Sequence, residues 1–269
     1  MNDHCYVVSP STVKYISPKI TEPTFIVFDK CDVSIRDNEN AYDTVTAIGG
    51  GAVIDCAKIL AKNKLIAYPT TAAGSSTSAH SVAWDGVNKL SIPSACEVEV
   101  HVEEKYCEGL SGVARLNTRV DVWAHAIDTL YSVRRTTASE QLSYTILDTL
   151  KNRLTNVELV ELGNLGGELI RMVPTTLLHG CSYPITGNYG VAHGRALGMM
   201  VKGVCDIKGL NAMDWFEEEE LNSMSFWATD VPSMDKSLLL TEIMAINKIH
   251  DFDMGYEITP SLIAEMMGM

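Results

Sequence analysis

Two β-branched apolar runs, residues 43–48 (Asp-Thr-Val-Thr-Ala-Ile) and 64–68 (Lys-Leu-Ile-Ala-Tyr), flank a segment of helical spacing at residues 52–62. The first run opens into Gly49-Gly50-Gly51 and the second stops at Pro69. A strand, a helix and another strand in that order predict parallel pairing, because a helical crossover returns the chain to the same end of the sheet. Residues 24–28 (Thr-Phe-Ile-Val-Phe) predict a further buried strand, ending at Asp29-Lys30. After about Tyr106 the texture changes. Helical spacing covers residues 120–133, 140–154, 157–172, 195–204, 212–227, 236–247 and 260–267, with no clear strand. Ser139 and Thr259 are the N-cap candidates for two of these helices. The expected organisation is an α/β domain over residues 1–105 and an all-α domain over residues 106–269.

The glycine turn is built to hold phosphate. Glycines let the backbone approach a diphosphate, and the free N–H groups of the helix start attract the anion. A bare triple glycine after a strand also serves as a tight turn, so the motif acquires meaning only with company. Part of that company is residues 69–78 (Pro-Thr-Thr-Ala-Ala-Gly-Ser-Ser-Thr-Ser), a hydroxyl- and glycine-rich loop at a strand's carboxyl end, where ligands of open α/β sheets lie.

The helical half offers candidate metal ligands. Asp121 and His125 stand four apart, which on a helix places them on one face. His179 and His193 each precede a glycine, and Pro184, Gly187 and Gly190 between them predict a bend that brings the two imidazoles together. Three neutral imidazoles and one carboxylate suit a divalent transition ion, iron(II) or zinc.

Composition narrows the function further. The formal net charge is −13 and the pI about 4.9, which argues against a nucleic-acid partner. The seven cysteines form no Cys-x-x-Cys pair, a pattern of free thiols in a reducing compartment. Residues 1–10 lack a basic region followed by an apolar run, and no stretch reaches the ~18 apolar residues of a membrane span. A cytoplasmic protein with no membrane partner is therefore expected. The acidic run Glu217-Glu218-Glu219-Glu220 reads as a solvated helix face.

In this order the motifs resemble those of the iron-containing alcohol dehydrogenase superfamily, which includes glycerol dehydrogenase and, more distantly, dehydroquinate synthase. The matching pieces are Phe28-Asp29-Lys30, Gly-Gly-Gly-x-x-x-Asp-x-x-Lys at residues 49–58 and Pro-Thr-Thr-Ala at 69–72. They continue with Asp-x-x-x-His-Ala at 121–126, the two His-Gly pairs at 179 and 193, and residues 256–263 before the last helix. The resemblance implies a Rossmann-like nucleotide-binding domain and an all-α metal-binding domain, a dehydroquinate synthase-like fold. It implies a nicotinamide cofactor, NAD with NADP as the alternative, in a cleft between the domains. The implied cofactor residues are Asp29, facing the adenosine ribose, with Gly49, Gly50, Gly51, Asp55, Thr70, Thr71 and Ser75. Asp121, His125, His179 and His193 would bind the metal. The implied reaction interconverts a small alcohol or polyol and its aldehyde or ketone, and a homodimer is an option.

Three departures stand out. Only twenty residues separate Asp29 from Gly49, where the family inserts another helix and strand. Ser75-Ser76-Thr77-Ser78 stands where many members have Gly-Ser-Glu. Tyr183 occupies the position of a second histidine four residues after the first His-Gly, so a role assigned to that histidine does not transfer unchanged. Two other readings compete: a dehydroquinate synthase-like cyclase or lyase, and a degenerate non-catalytic homologue. The first would need several cations near the site, and only Arg119, Arg195 and Lys202 lie near the motifs. Four intact metal ligands argue against the second.

Overall fold

The computed structural model describes residues 2–16, 21–227, 234–255 and 257–269; Tyr256 in the predicted lead-in to the last helix lies outside them. The chain forms two compact units, Met1–Arg115 with Leu154–Arg171, and Leu116–Arg153 with Met172–Met269.

The strands of the first unit are β1 (Asn2–Val8), β2 (Thr24–Ile26), β3 (Tyr42–Gly49), β4 (Ala61–Pro69) and β7 (Glu97–Val100). They form one parallel sheet in the order β2-β1-β3-β4-β7. Between β3 and β4 runs α1 (Gly51–Leu60). After β4 a hairpin, β5 (His80–Asp85) and β6 (Asn88–Pro93), turns at Gly86, whose φ of 58° lies in the left-handed region. Val45 pairs with Leu65 and Ala47 with Ala67, so all four share one face of the sheet. They are fully buried in one cluster with Val53, Ala57 and Leu60 of α1 and Ala83 and Ile92 of the hairpin. Helix α1 is thus enclosed on both sides, which explains why every residue from Val53 to Leu60 is buried. Burying each of its large aliphatic side chains contributes roughly 1.5–3 kcal/mol.

Several expectations shift. Strand β2 stops at Ile26, short of Phe28, and a 3-10 helix, Val33–Asn38, fills the interval to β3. Helix α1 ends at Leu60, and residues 61–63 belong to β4. Strand β1 and the hairpin were not expected.

Two further helices serve this unit. They are α2 (Glu104–Cys107) and α5 (Asn156–Met172, its residues up to Arg171). The expectation placed α5 in the helical domain, after a single boundary in chain order. In space it braces the loop after β4. A Cβ at Gly163 would overlap the Ala72 backbone, and one at Gly167 would overlap Gly74. Ser76 Oγ donates to Asn164 Oδ1 at 2.6 Å, and Thr77 Oγ1 to the Asn164 carbonyl at 2.6 Å.

The second unit is helical. It comprises α3 (Gly112–Leu130, from Leu116 onward), α4 (Thr137–Leu150), α6 (Leu177–Tyr189), α7 (His193–Gly198), α8 (Val201–Lys208), α9 (Glu218–Trp227), α10 (Lys236–Met244) and α11 (Pro260–Met266). Its core centres on Trp123, whose ring lies 6.0 Å from Phe216 and 6.2 Å from Trp215. Thr259 caps α11 as expected, whereas α4 is capped by Thr136 with Ser139 completing a capping box from the third helical position. The segment 195–204 is two helices rather than one, and residues 212–214 form a 3-10 turn ahead of α9. No helix among the described residues is long and apolar enough to cross a membrane. The seven cysteines are free, and burial pushes the Cys5 and Cys205 thiols up to about 12.

Candidate metal centre

Helix α3 presents Asp121, His125 and Asp128 on one face, at positions i, i+4 and i+7. Asp121 Oδ1 lies 3.5 Å from His125 Nε2, 3.5 Å from His179 Nε2 and 3.6 Å from His193 Nε2. These separations exceed the ordinary length of an N–H···O bond. They match the edge of a tetrahedron of donors around one ion, about 3.3–3.6 Å for bonds of roughly 2.0–2.2 Å. The donors of Asp121, His179 and His193 all lie within 4.8 Å of one another. His125 stands beside that trio, tied to it by Asp121 and by a parallel stack on His179 with centroids 4.6 Å apart. Asp121, His125 and His179 are buried; the His193 side chain is 34% exposed. The donor set and its spacing fit a divalent transition ion.

The structure explains how the two histidines of α6 and α7 reach one point. Helix α6 continues without interruption through Pro184 and Gly187. The proline removes one backbone donor, but Leu177, Leu178, Cys181 and Ile185 are fully buried and hold the helix in place. The expected bend comes at Gly190, whose φ of 65° caps α6 in the left-handed conformation. Helix α7 then starts at His193. A Cβ at Gly194 would overlap the Asn117 carbonyl, so glycine lets α7 rest directly on the backbone of α3.

A residue not singled out from the sequence organises this centre. Asp128 is fully buried and accepts hydrogen bonds from the backbone N–H groups of Thr176 (3.0 Å), Leu178 (3.0 Å) and His179 (3.3 Å), and from the Thr176 hydroxyl (2.9 Å). It therefore caps the start of α6 from another helix, satisfying donors that would otherwise be orphaned. Its Oδ2 also receives His179 Nδ1 at 2.8 Å. That bond places the proton on Nδ1 and turns the Nε2 lone pair toward Asp121, the carboxylate–histidine arrangement of metal sites. Burial pushes the Asp128 carboxyl up, against the pull of its backbone donors and of Lys248. Ser182 does a similar service: its hydroxyl donates to the His179 carbonyl at 2.8 Å and accepts from His193 Nδ1 at 3.3 Å. The spacing signal for Asp128 was the i+7 step from Asp121.

In the first unit the carboxyl end of the sheet gathers most of the predicted cofactor residues. Thr70 N–H donates to the Gly49 carbonyl at 3.0 Å. A Cβ at Gly50 would meet Thr71 Oγ1 at 3.2 Å, and one at Gly51 would meet Ser75 Oγ at 3.0 Å. Gly49, Gly50, Gly51, Thr70, Thr71 and Ser75 thus form one polar cradle at the start of α1. Asp29 is exposed in the bend beyond β2. Asp55 points elsewhere: it is buried under the hairpin, accepting from the backbone of Val82, and desolvation raises its carboxyl to about 7 despite nearby Lys58. Lys58 is buried too, donating to the Ser78 carbonyl at 2.6 Å, and so ties α1 to the far end of the braced loop.

The cradle makes a direct prediction. A branched side chain at Gly50 would project onto Thr71 and fill the approach of a diphosphate. Gly50→Val is expected to abolish nucleotide binding, read by quenching or enhancement of NADH fluorescence, while circular dichroism shows the helices intact. Unchanged affinity would leave the turn a purely structural one.

The fold has known counterparts. The structure matches an iron-containing alcohol dehydrogenase from Thermotoga maritima with a TM-score of 0.75 at 18% identity, covering 100% of this chain and 92% of that one. It matches a sulfoacetaldehyde reductase from Bifidobacterium kashiwanohense, solved in complex with NAD+, with a TM-score of 0.76 at 19% identity, covering 100% and 90%. It matches a 1,3-propanediol oxidoreductase with a TM-score of 0.73 at 14% identity, covering 99% and 91%. No family model and no curated protein matches the sequence. The chain therefore has the fold of the iron-containing alcohol dehydrogenases, a Rossmann-like α/β unit with a helical unit, in a form of 269 residues.

Proposed function

We propose that this protein is a metal-dependent, NAD-linked oxidoreductase that interconverts a small alcohol or polyol and its aldehyde or ketone. The observation that carries the proposal is the convergence of three imidazole Nε2 atoms on one oxygen of Asp121, within the fold of the iron-containing alcohol dehydrogenases. A divalent ion held by Asp121, His125, His179 and His193 supplies, when bound, Lewis acidity at a substrate oxygen, and NAD supplies the hydride acceptor. Iron(II) and zinc both accept this ligand set. The chain's own residues position these groups. Asp128 and Ser182 fix the tautomers of His179 and His193, and the cradle from Gly49 to Gly51 offers backbone N–H groups to a diphosphate. Substrates are small molecules, the cytoplasm is the expected compartment, and a second copy of the chain is the candidate assembly partner.

The test begins with elemental analysis of the purified protein. It continues with NADH oxidation against a panel of aldehydes and ketones, and NAD reduction against alcohols and polyols. A metal-replete protein that turns over none of them would defeat the proposal.

The cofactor choice adds a prediction. Asp29 lies beyond the carboxyl end of β2, and a carboxylate there repels a 2′-phosphate. The two cations nearest in sequence are engaged: Lys30 Nζ donates to the Gly86 carbonyl at 2.7 Å, and Arg36 pairs with Glu39 at 3.2 Å. NADH is expected to bind more tightly than NADPH, and Asp29→Ala to narrow the difference. Titration of both reduced cofactors measures it; equal or tighter binding of NADPH removes Asp29 from the ribose.

A further inference from the structure

Lys248, in the 3-10 helix Asn247–Asp251, lays its stem along α6. A Cβ at Gly180, the residue after His179, would meet Lys248 Cε at 3.8 Å. Its ammonium donates to Thr175 Oγ1 at 2.7 Å and to Tyr183 Oη at 2.6 Å, and lies 4.2 Å from the centre of the Tyr183 ring. The Tyr183 ring in turn faces the His193 ring, nearly parallel, with centroids 6.4 Å apart. One aromatic ring therefore separates a fixed positive charge from the candidate metal ligands.

Several cations of the chain have a carboxylate partner. Arg119 pairs with Glu220, Arg134 with Asp251 and Lys151 with Asp148. Lys248 is half-buried, yet no carboxylate among the described residues lies within ion-pair distance of it. Asp128, whose charge it senses, is already committed to the start of α6 and to His179. An ammonium has three donors, and two neutral hydroxyls take two of them. A half-buried cation held by neutral groups is incompletely compensated. An anion completes it.

We propose that Lys248 determines specificity by binding an oxyanion on the substrate, so that the preferred substrates are short aldehydes or ketones carrying a carboxylate or sulfonate. This inference rests on the oxidoreductase reading for the carbonyl and on Lys248 alone for the anion. Thr175 and Tyr183 are positioning residues, which hold the ammonium in place.

The experiment has a binding arm and a kinetic arm, both on the full-length, metal-loaded protein. In calorimetry, butyrate is expected to bind at least about tenfold more tightly than neutral butyramide, the worth of one charge-assisted hydrogen bond. Lys248→Gln should erase that preference and Lys248→Arg should keep it. In kinetics, the ratio of kcat/KM for succinic semialdehyde over butanal should fall about tenfold to a hundredfold in Lys248→Gln. Equal binding of butyrate and butyramide by the unaltered protein overturns the proposal, whatever the variants do. So does an unchanged substrate ratio in a folded Lys248→Gln. Butyrate binding that depends on Lys248, in a protein that reduces no aldehyde, would overturn the oxidoreductase reading and leave the anion site standing.

Discussion

Replacing His193 by alanine is expected to strip the protein of most of its divalent ion. The imidazole is one of three whose Nε2 atoms stand 3.5–3.6 Å from Asp121 Oδ1. Its removal opens one side of the cage. The side chain is 34% exposed, so its loss costs little packing. The variant should stay folded, and its metal content then reports the ligand role alone. Asp128→Asn makes the graded comparison. It keeps all direct donors but loses the carboxylate that receives His179 Nδ1 at 2.8 Å, and changes of this kind cost about 10–100-fold in metal affinity. Elemental analysis and competition with a chelator measure both. One ion per chain, held as tightly in His193→Ala as in the unaltered protein, would sink the assignment.

Gly163→Ala is expected to be the most damaging small change in the first unit. The added methyl would overlap the Ala72 backbone, which cannot swing away as a side chain end can. Overpacking of this kind costs about 3 kcal/mol or more where the clash is with backbone. For a chain of this size that lowers Tm by roughly 6–12 °C. The loop from Thr70 to Ser78 should be pushed off α5, breaking the bonds of Ser76 and Thr77 to Asn164. Nucleotide affinity should fall together with Tm, because Thr71 and Ser75 in the same loop line the glycine cradle. A melt and an NADH titration that both match the unaltered protein would show that the contact is looser than drawn.

The sheet's centre was legible because β3, α1 and β4 obey simple rules: β-branched runs, a glycine turn and buried aliphatics at helical spacing. The hairpin was not, because the buried positions of its first strand, β5, hold small residues. Ser81 and Ala83 are at 1% and 0% exposure, while the larger Val82 and Trp84 are only partly covered. Hydrophobic alternation is therefore inverted there, and only Asp85-Gly86 signalled the turn. Helix α6 was hidden by Pro184, whose cost tertiary burial of its neighbours overrides. The grouping of Asp121, His125, His179 and His193 was legible because four apart on a helix is a fixed geometric fact, and each His-Gly marks a close approach, of Gly180 to the side chain of Ile249 and of Gly194 to the backbone of Asn117. Asp128 escaped notice because a carboxylate seven residues on has no chemistry of its own until α6 arrives to be capped. The placement of α5 depended on Gly163 and Gly167, again one helical turn apart, whose missing side chains leave no hydrophobic pattern to read.

The brace between α5 and the Thr70–Ser78 loop has a consequence for how the protein is made. The first unit is discontinuous, since it closes only when residues up to Arg171 are present. On a ribosome adding about 5–20 residues per second, the sheet and its glycine cradle exist for several seconds before their supporting helix emerges. During that interval the hydroxyls of Ser76 and Thr77 have no partner from α5. A nascent chain arrested between residues 115 and 154 should thus be protease-sensitive at the loop and a client for chaperones. The same break in continuity means that this unit cannot be shuffled into another protein as a single cassette of sequence; whatever recombination carries the glycine turn must also carry residues 154–171.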